Sequence, residues 1–362
     1  MIRRVAIVGV GLIGSSLGLA FQDINEVEEV IGIDKNSDYL QQALDIGAIN
    51  RTDSLKEGVK NVDLVILATP VGIIKDLVQK ILPYINPNTI ITDVGSTKSN
   101  LVGELEKLTK GYNYIGGHPM TGSETVGPRG ADKYLFENAI YVLTETENTK
   151  QDYLLLLKDL IERVGAQALI LSPLRHDKIV AITSHLPHLV AVNLMSVIAE
   201  LAEEDELVTS LIAGGFRDTT RISAGDPIMW RDIFLNNKDA VLDTISLFEE
   251  KLSYLKEIIN RDSTEKLTAM LSETRDARLK LPMKKKGLLP SNFELILTLE
   301  DKPKAIAKVA TLLGNNEINI QDIEVLKVRE DGGTIRLSFR QEDEQLEAYQ
   351  LLQQNSYKVT KK

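Results

Sequence analysis

Between Arg4 and Asp34 the chain leaves itself few choices of fold. Arg4 to Val8 (Arg-Val-Ala-Ile-Val) is a β-branched apolar run of buried-strand type. It enters Gly9-Val10-Gly11-Leu12-Ile13-Gly14, then a helical segment from Ser15 to Phe21, then a second strand from Glu29 to Ile33 ending in Asp34. Strand, glycine turn, helix, strand and terminal acid in that order make the full dinucleotide-binding βαβ context. Gly9 permits the turn, Gly11 lets a pyrophosphate approach the backbone, and Gly14 allows close packing of helix on strand. Leu12 and Ile13 belong to the same cofactor-binding turn, and the helix N-terminus after it offers unpaired N–H groups to the phosphates. Asp34 suits the ribose hydroxyls and repels a 2′-phosphate, so NAD is expected over NADP, with Lys35 softening that repulsion.

The alternation continues. Val62 to Ala68 reads as a strand ending at Thr69-Pro70, Gly72 to Leu82 as a helix, and Thr89 to Asp93 as a strand running into Gly95-Ser96-Thr97-Lys98. A helix follows to about Leu108. Ala139 to Thr144 and Gln167 to Leu171 read as the last strands, with a helix from Asp152 to Val164 between them. Such alternation predicts a doubly wound parallel sheet of Rossmann type, with ligands beyond the carboxyl ends of its strands. Thr69-Pro70, Ser96 and the stretch Gly116-Gly-His-Pro-Met-Thr-Gly-Ser-Glu124 then join the glycine turn on one edge. Tyr112 to Ile115 reads as a strand, and the two glycines as a turn that Pro119 stiffens. That loop would present His118, a side chain suited to general base chemistry near neutral pH. Ser96 either serves the same site or caps the following helix. The two roles are compatible.

From Pro173 to about Leu281 the strand signal gives way to long helical patterns. His185-Leu-Pro-His188 lies in the apolar stretch Ile179 to Val197, and its i, i+3 spacing puts both imidazoles on one side of a helix that Pro187 should kink. With no cysteine and no carboxylate at ligand spacing, substrate binding explains this pair better than a metal, and none is expected. His176, at a helix start, reads as structural. A second polar cluster runs from Gly214 through Arg217, Asp218 and Arg221 towards Trp230, the only tryptophan. A guanidinium fork there suits a carboxylate, although an Arg–Asp ion pair is the plainer reading of Arg217.

At 362 residues the chain exceeds the roughly 250–300 at which single cores stop growing, so several domains are expected. The boundaries read as a nucleotide-binding domain over 1–172, a helical substrate and dimerisation domain over 173–283, a basic linker over 284–292 and a small domain over 293–362. In that last part the order of elements is βαββαβ, the ferredoxin-like arrangement. A net charge of −10 argues against nucleic acid as the main partner. No signal peptide and no run of about 18 uninterrupted apolar residues is present, so no membrane span is expected. The absence of cysteine fits a reducing, cytoplasmic setting. Long apolar helices with one partner layer must bury their outer face, which predicts a homodimer.

Taken together, Gly9–Gly14 with Ser15-Ser-Leu17, Asp93-Val-Gly-Ser-Thr-Lys98, Gly116–Glu124, Ser184-His-Leu-Pro-His188 and Gly215-Phe-Arg-Asp-Thr-Thr-Arg221 resemble the prephenate dehydrogenases, and the likeness runs along the whole chain. The tail resembles an ACT domain, with Lys304 where a glycine commonly follows the proline. The resemblance implies NAD-dependent oxidative decarboxylation of prephenate to 4-hydroxyphenylpyruvate on the route to tyrosine. It casts His118 as the base and Ser96 as the hydroxyl that orients the site. Arg221 becomes the carboxylate clamp, with His185, His188, Trp230 and Thr121 as pocket contacts. Glu124, Arg217 and Asp218 become an ion-pair gate, and tyrosine becomes the expected effector at or near the tail. Arogenate is the alternative substrate. A β-hydroxyacid dehydrogenase shares the first domain but would place a lysine where Ser184–His188 stands. An NAD-sensing regulator would not need His118.

Overall fold

The computed structural model describes residues 1–122, 125–281, 293–300, 302–329 and 332–361. Ser123 and Glu124, the linker and the turn at Asp331 lie outside the described residues. The chain divides into two compact units, Met1–Pro282 and Met283–Lys362.

The first unit opens with β1 (Arg4–Val8), α1 (Leu12–Gln22), β2 (Glu29–Ile33), α2 (Ser37–Asp45), β3 (Arg51–Thr52), α3 (Leu55–Gly58) and β4 (Leu64–Leu67). It continues through α4 (Val71–Ile81), β5 (Ile90–Asp93), α5 (Ser99–Leu108), β6 (Asn113–Pro119), β7 (Ile140–Thr144), α6 (Gln151–Arg163) and β8 (Gln167–Leu171). The strands form one sheet in the order β3-β2-β1-β4-β5-β6-β7-β8. Along β1, Val5 and Ile7 enter one apolar cluster while Ala6 and Val8 enter another. A strand buried on both faces has no polar face to alternate with, which is why these strands read as continuous apolar runs.

Two expectations change here. The glycines at Gly116 and Gly117 do not turn the chain: β6 runs straight through them to Pro119. What demands glycine is close approach. A Cβ on Gly117 would lie 2.4 Å from the Asp93 carbonyl oxygen, and one on Gly116 would lie 2.4 Å from Thr144 Oγ1. Nor is the sheet wholly parallel, because β7 runs antiparallel to β6, pairing Gly116 with Thr144 and His118 with Val142. Among its described residues the segment between β6 and β7 holds one 3₁₀ turn, Pro128–Gly130, and no crossover helix, and the chain doubles back.

Helices then take over: α7 (Pro173–Val180), a π-helical turn (Ala181–His185), α8 (Leu186–Glu204), α9 (Leu207–Ser210) and α10 (Gly214–Thr220). After a 3₁₀ turn at Arg221–Ala224 come α11 (Pro227–Asn236), α12 (Lys238–Asn260) and α13 (Thr264–Lys280). Ser172 caps α7 and Asp226 caps α11 by accepting backbone N–H groups, each with proline following at the helix start. By length and composition alone, the run Pro173–Glu204 is apolar enough to cross a membrane. A search for uninterrupted apolar residues misses it because Ser184, His185 and His188 interrupt the run.

The second unit is β9 (Phe293–Leu299), α14 (Ala305–Gly314), β10 (Asp322–Arg329), β11 (Gly332–Phe339), α15 (Glu342–Gln354) and β12 (Lys358–Lys361), with antiparallel sheet order β10-β11-β9-β12. Alternate residues Leu295, Leu297 and Leu299 bury one face of β9. Lys304 begins α14 at φ 70°, the left-handed region that favours glycine. Lys304→Gly is therefore expected to stabilise this unit by about 0.5–1 kcal/mol, after the extra chain entropy of glycine is counted. Slower hydrogen exchange of the buried β9 amides in the full chain would register it, and unchanged or faster exchange would contradict it.

Candidate active site

The glycine turn bears the marks of a cofactor cradle. Gly9 takes φ +97°, and a Cβ there would meet the Ala68 carbonyl oxygen at 2.4 Å. A Cβ on Gly14 would strike the Gly9 oxygen at 2.0 Å, whereas one on Gly11 would meet nothing within 4 Å. Space therefore opens at the one glycine where a pyrophosphate must approach. Leu12 and Ile13 begin α1 directly behind it. Asp34, at the end of β2, accepts the Val10 N–H at 3.0 Å and the Asn36 N–H at 2.9 Å, fixing its carboxylate beside the turn. Thr69 Oγ1 is buried with no hydrogen-bond partner among the described residues, and Pro70 beside it is the N-cap of α4. This donor set fits a dinucleotide.

On the same edge His118 projects from β6. Its Nδ1 lies 2.8 Å from His176 Nε2, and His176 Nδ1 lies 2.7 Å from Asp177 Oδ1. A carboxylate only accepts, so His176 donates through Nδ1 and keeps Nε2 bare. His118 must then donate through its own Nδ1, which leaves His118 Nε2 as the free lone pair. Asp177 also accepts the N–H groups of Lys98 at 2.8 Å and Ser99 at 2.7 Å. Burial raises the Asp177 carboxyl, but the hydrogen bonds from His176, Ser99 and Lys98 outweigh it and hold the group below its ordinary range. His176 is thus no bystander: it links the His118 imidazole to the Asp177 carboxylate. The adjacent His176-Asp177 pair was the only hint in the sequence, because its partner His118 is 58 positions away.

Burial first, and then the neighbouring His176, Lys98 and His185, push His118 well below the usual histidine range. Ser96 is half-buried in the turn between β5 and α5 that Asp177 fastens at Lys98 and Ser99. The side chain of Asn237, just before α12, donates to the Asp177 carbonyl at 2.9 Å and lies 3.3 Å from His185 Nδ1.

His188 stacks on Trp230 with ring centroids 3.6 Å apart and planes within 20°. It is 3 % exposed, yet neither ring nitrogen has a partner among the described residues. Such orphaned polar atoms are rare unless a ligand or water supplies the bond. His185 meets Trp230 and Phe234 edge-on. The π-helical turn ending at His185, with Pro187 after it, sets the register that aims both rings at α11. Arg221 opens the 3₁₀ turn that packs against α8 and is exposed there, as are Arg217 and Asp218 on α10. Thr121 Oγ1 donates to the Leu135 carbonyl at 3.2 Å, fastening its own loop. Glu124, the third member of the expected gate, lies outside the described residues.

The neutral histidines make stability depend on pH. Burial pushes His185 down to about 4, against the Asp177 charge that raises it, and burial also lowers His188. Unfolded, each would titrate near about 6.5, so the unfolded chain binds more protons below that pH and stability falls as pH drops. The contribution of His185 is complete above about pH 6.5 and lost towards pH 4, on the order of 3 kcal/mol. Urea midpoints at about pH 7.5 and about pH 4.5 should separate in the wild type and draw together in His185→Gln. An equal gap in the variant would refute the assignment.

A family model described as "Prephenate dehydrogenase, nucleotide-binding domain" matches residues 17–170, and one described as "Prephenate dehydrogenase, dimerization domain" matches 172–273. A prephenate dehydrogenase of Bacillus subtilis (strain 168) is 35 % identical, covering 96 % of this chain and 95 % of that protein. The crystal structure of prephenate dehydrogenase from A. aeolicus in complex with hydroxyphenyl propionate and NAD+ is 34 % identical with TM-score 0.74, covering 78 % of this chain and 99 % of that one. Synechocystis arogenate dehydrogenase is 30 % identical with TM-score 0.69, covering 76 % of this chain and 99 % of that one. With the glycine cradle, the histidine pair on α8 and these likenesses in agreement, the chain belongs to the prephenate dehydrogenase family.

Proposed function

We propose that the chain oxidises prephenate with NAD, releasing carbon dioxide and forming 4-hydroxyphenylpyruvate. The observation that carries the mechanism is the hydrogen-bonded series His118, His176, Asp177, which leaves one bare imidazole nitrogen at the cofactor edge. NAD bound at the glycine turn supplies the hydride acceptor. His118 Nε2 takes the proton of the ring hydroxyl as the carbon–hydrogen bond at that carbon breaks. The positive charge that arises on His118 is balanced through His176 by Asp177. Departure of the ring carboxylate leaves its electron pair to complete the aromatic ring, and the oxygen left anionic takes the proton back from His118. Ser96 orients the hydroxyl, and His188, stiffened by Trp230, offers a nitrogen to the substrate with His185 beside it. Arg221 clamps a carboxylate.

Arogenate is the second reading, favoured by the likeness to the Synechocystis enzyme. NADH formation with NAD and either prephenate or arogenate decides between them. Turnover of arogenate alone would replace the substrate and keep the mechanism. Turnover of neither would sink the dehydrogenase reading in favour of an NAD-sensing regulator.

In the same reading the protein is a homodimer. Exposed Val197 and Leu201 on α8 and Leu242, Leu252 and Ile259 on α12 form apolar surface that one chain leaves open. A solution mass near the 40.2 kDa of one chain would refute it. The βαββαβ order of the second unit supports an ACT-like role with tyrosine as effector, and rates unchanged by saturating tyrosine would remove that role.

A further inference from the structure

We propose that Lys98, buried behind the site and paired with Asp93, is a positioning residue for His118: it braces the turn bearing Ser96 against β6 and α7 and holds an ammonium beneath the strand that carries the imidazole. This rests on the reading of His118 as the base.

Lys98 is the one buried lysine among the described residues, and it and Asp93 are both 0 % exposed. A buried ion pair is costly to desolvate and seldom improves on apolar packing, so stability alone does not account for its place. The contacts do. Its Nζ bonds Asp93 Oδ1, which also accepts the Gly95 N–H at 2.7 Å, while Asp93 Oδ2 accepts the Tyr114 hydroxyl at 2.7 Å. Its stem runs under Gly116, where a Cβ would come within 3.2 Å of Lys98 Cδ. Its backbone N–H donates to Asp177 Oδ1 at 2.8 Å. One residue thus touches β5 through Asp93, β6 two residues before the base, and α7 through the carboxylate that ends the histidine series. Ser96 is two residues away in the turn so held.

The groups around His118 are few. His176 acts on it from α7, His185 from the π-helical turn and Lys98 from the turn after β5, with Asp177 bonded behind His176 and Asp93 behind Lys98. The phenol of Tyr114 is bonded to Asp93, and the Tyr141 ring lies against Gly117. Burial keeps both phenols neutral. Among the neighbours that oppose protonation of His118, Lys98 is the one ammonium, and Asp93 holds it in place.

Lys98→Met keeps the length of the stem and removes the charge. Because it strands Asp93, the double variant Asp93→Asn/Lys98→Met is made beside it, so that no lone buried charge threatens folding. The readout is the acidic limb of kcat/KM against pH in the full-length enzyme. The limb is expected to move up by roughly one unit in Lys98→Met and by less in the double variant. A fall in kcat with the limb unmoved in whichever variant folds would overturn the proposal and leave Lys98 a purely structural role. His118→Gln separates this from failure of the underlying reading: a residual rate that keeps the wild-type limb would show that His118 is not the base.

Discussion

His118→Asn is expected to lower kcat by roughly 10²–10⁴-fold, the usual contribution of a positioned general base, with NAD affinity little changed. Asparagine retains a donor that can reach His176 Nε2, so the fold around α7 should persist while the lone pair towards substrate disappears. The pH profile gives a second reading of the same residue. Because burial and its neighbours hold His118 well below 6.5, the base stays unprotonated and competent through mildly acidic pH, and the acidic limb of kcat/KM should lie clearly below 6.5. A wild-type limb at or above 6.5 would mean that the enclosure around His118 does not control its proton. Near-normal kcat in the variant would remove His118 from the chemistry altogether.

Much of the first unit was legible because its signals are local. The turn Gly9–Gly14, the acid at Asp34 and the apolar strands are each written within a few residues, and neighbouring elements of a βαβ unit fold onto one another. What the sequence concealed depends on distant partners. Gly116 and Gly117 look like a turn, and only the pairing of β6 with β7 and the carbonyl of Asp93 beneath Gly117 explain why glycine is needed in a straight strand. His176 looks structural until β6 brings His118 against it. Lys98 stands in the sequence only as the end of the turn Gly95–Lys98, and nothing near it announces the buried pairing with Asp93, whose other oxygen takes Tyr114. His188 stood out in sequence as an imidazole on an apolar helix, but its stacking on Trp230 depends on α11, some forty positions on.

Arg221→Ala should weaken kcat/KM by about 2 kcal/mol or more, roughly 30-fold upward, since the substrate carboxylate loses a bidentate charged partner. How that loss divides identifies which carboxylate Arg221 holds. The side-chain carboxylate is unchanged between ground state and transition state, so a clamp on it contributes equally to both, and its removal should raise KM with kcat nearly constant. The ring carboxylate surrenders its charge as carbon dioxide forms. A guanidinium paired there would favour the ground state over the transition state, and its removal would raise KM and kcat together. We expect the first pattern, because an enzyme that neutralised the departing charge would oppose its own decarboxylation. Arg221→Lys should recover only part of the loss, since an ammonium restores the charge without the planar fork. Full recovery by lysine would mean that charge alone matters at this turn, and unchanged KM in Arg221→Ala would move the clamp elsewhere.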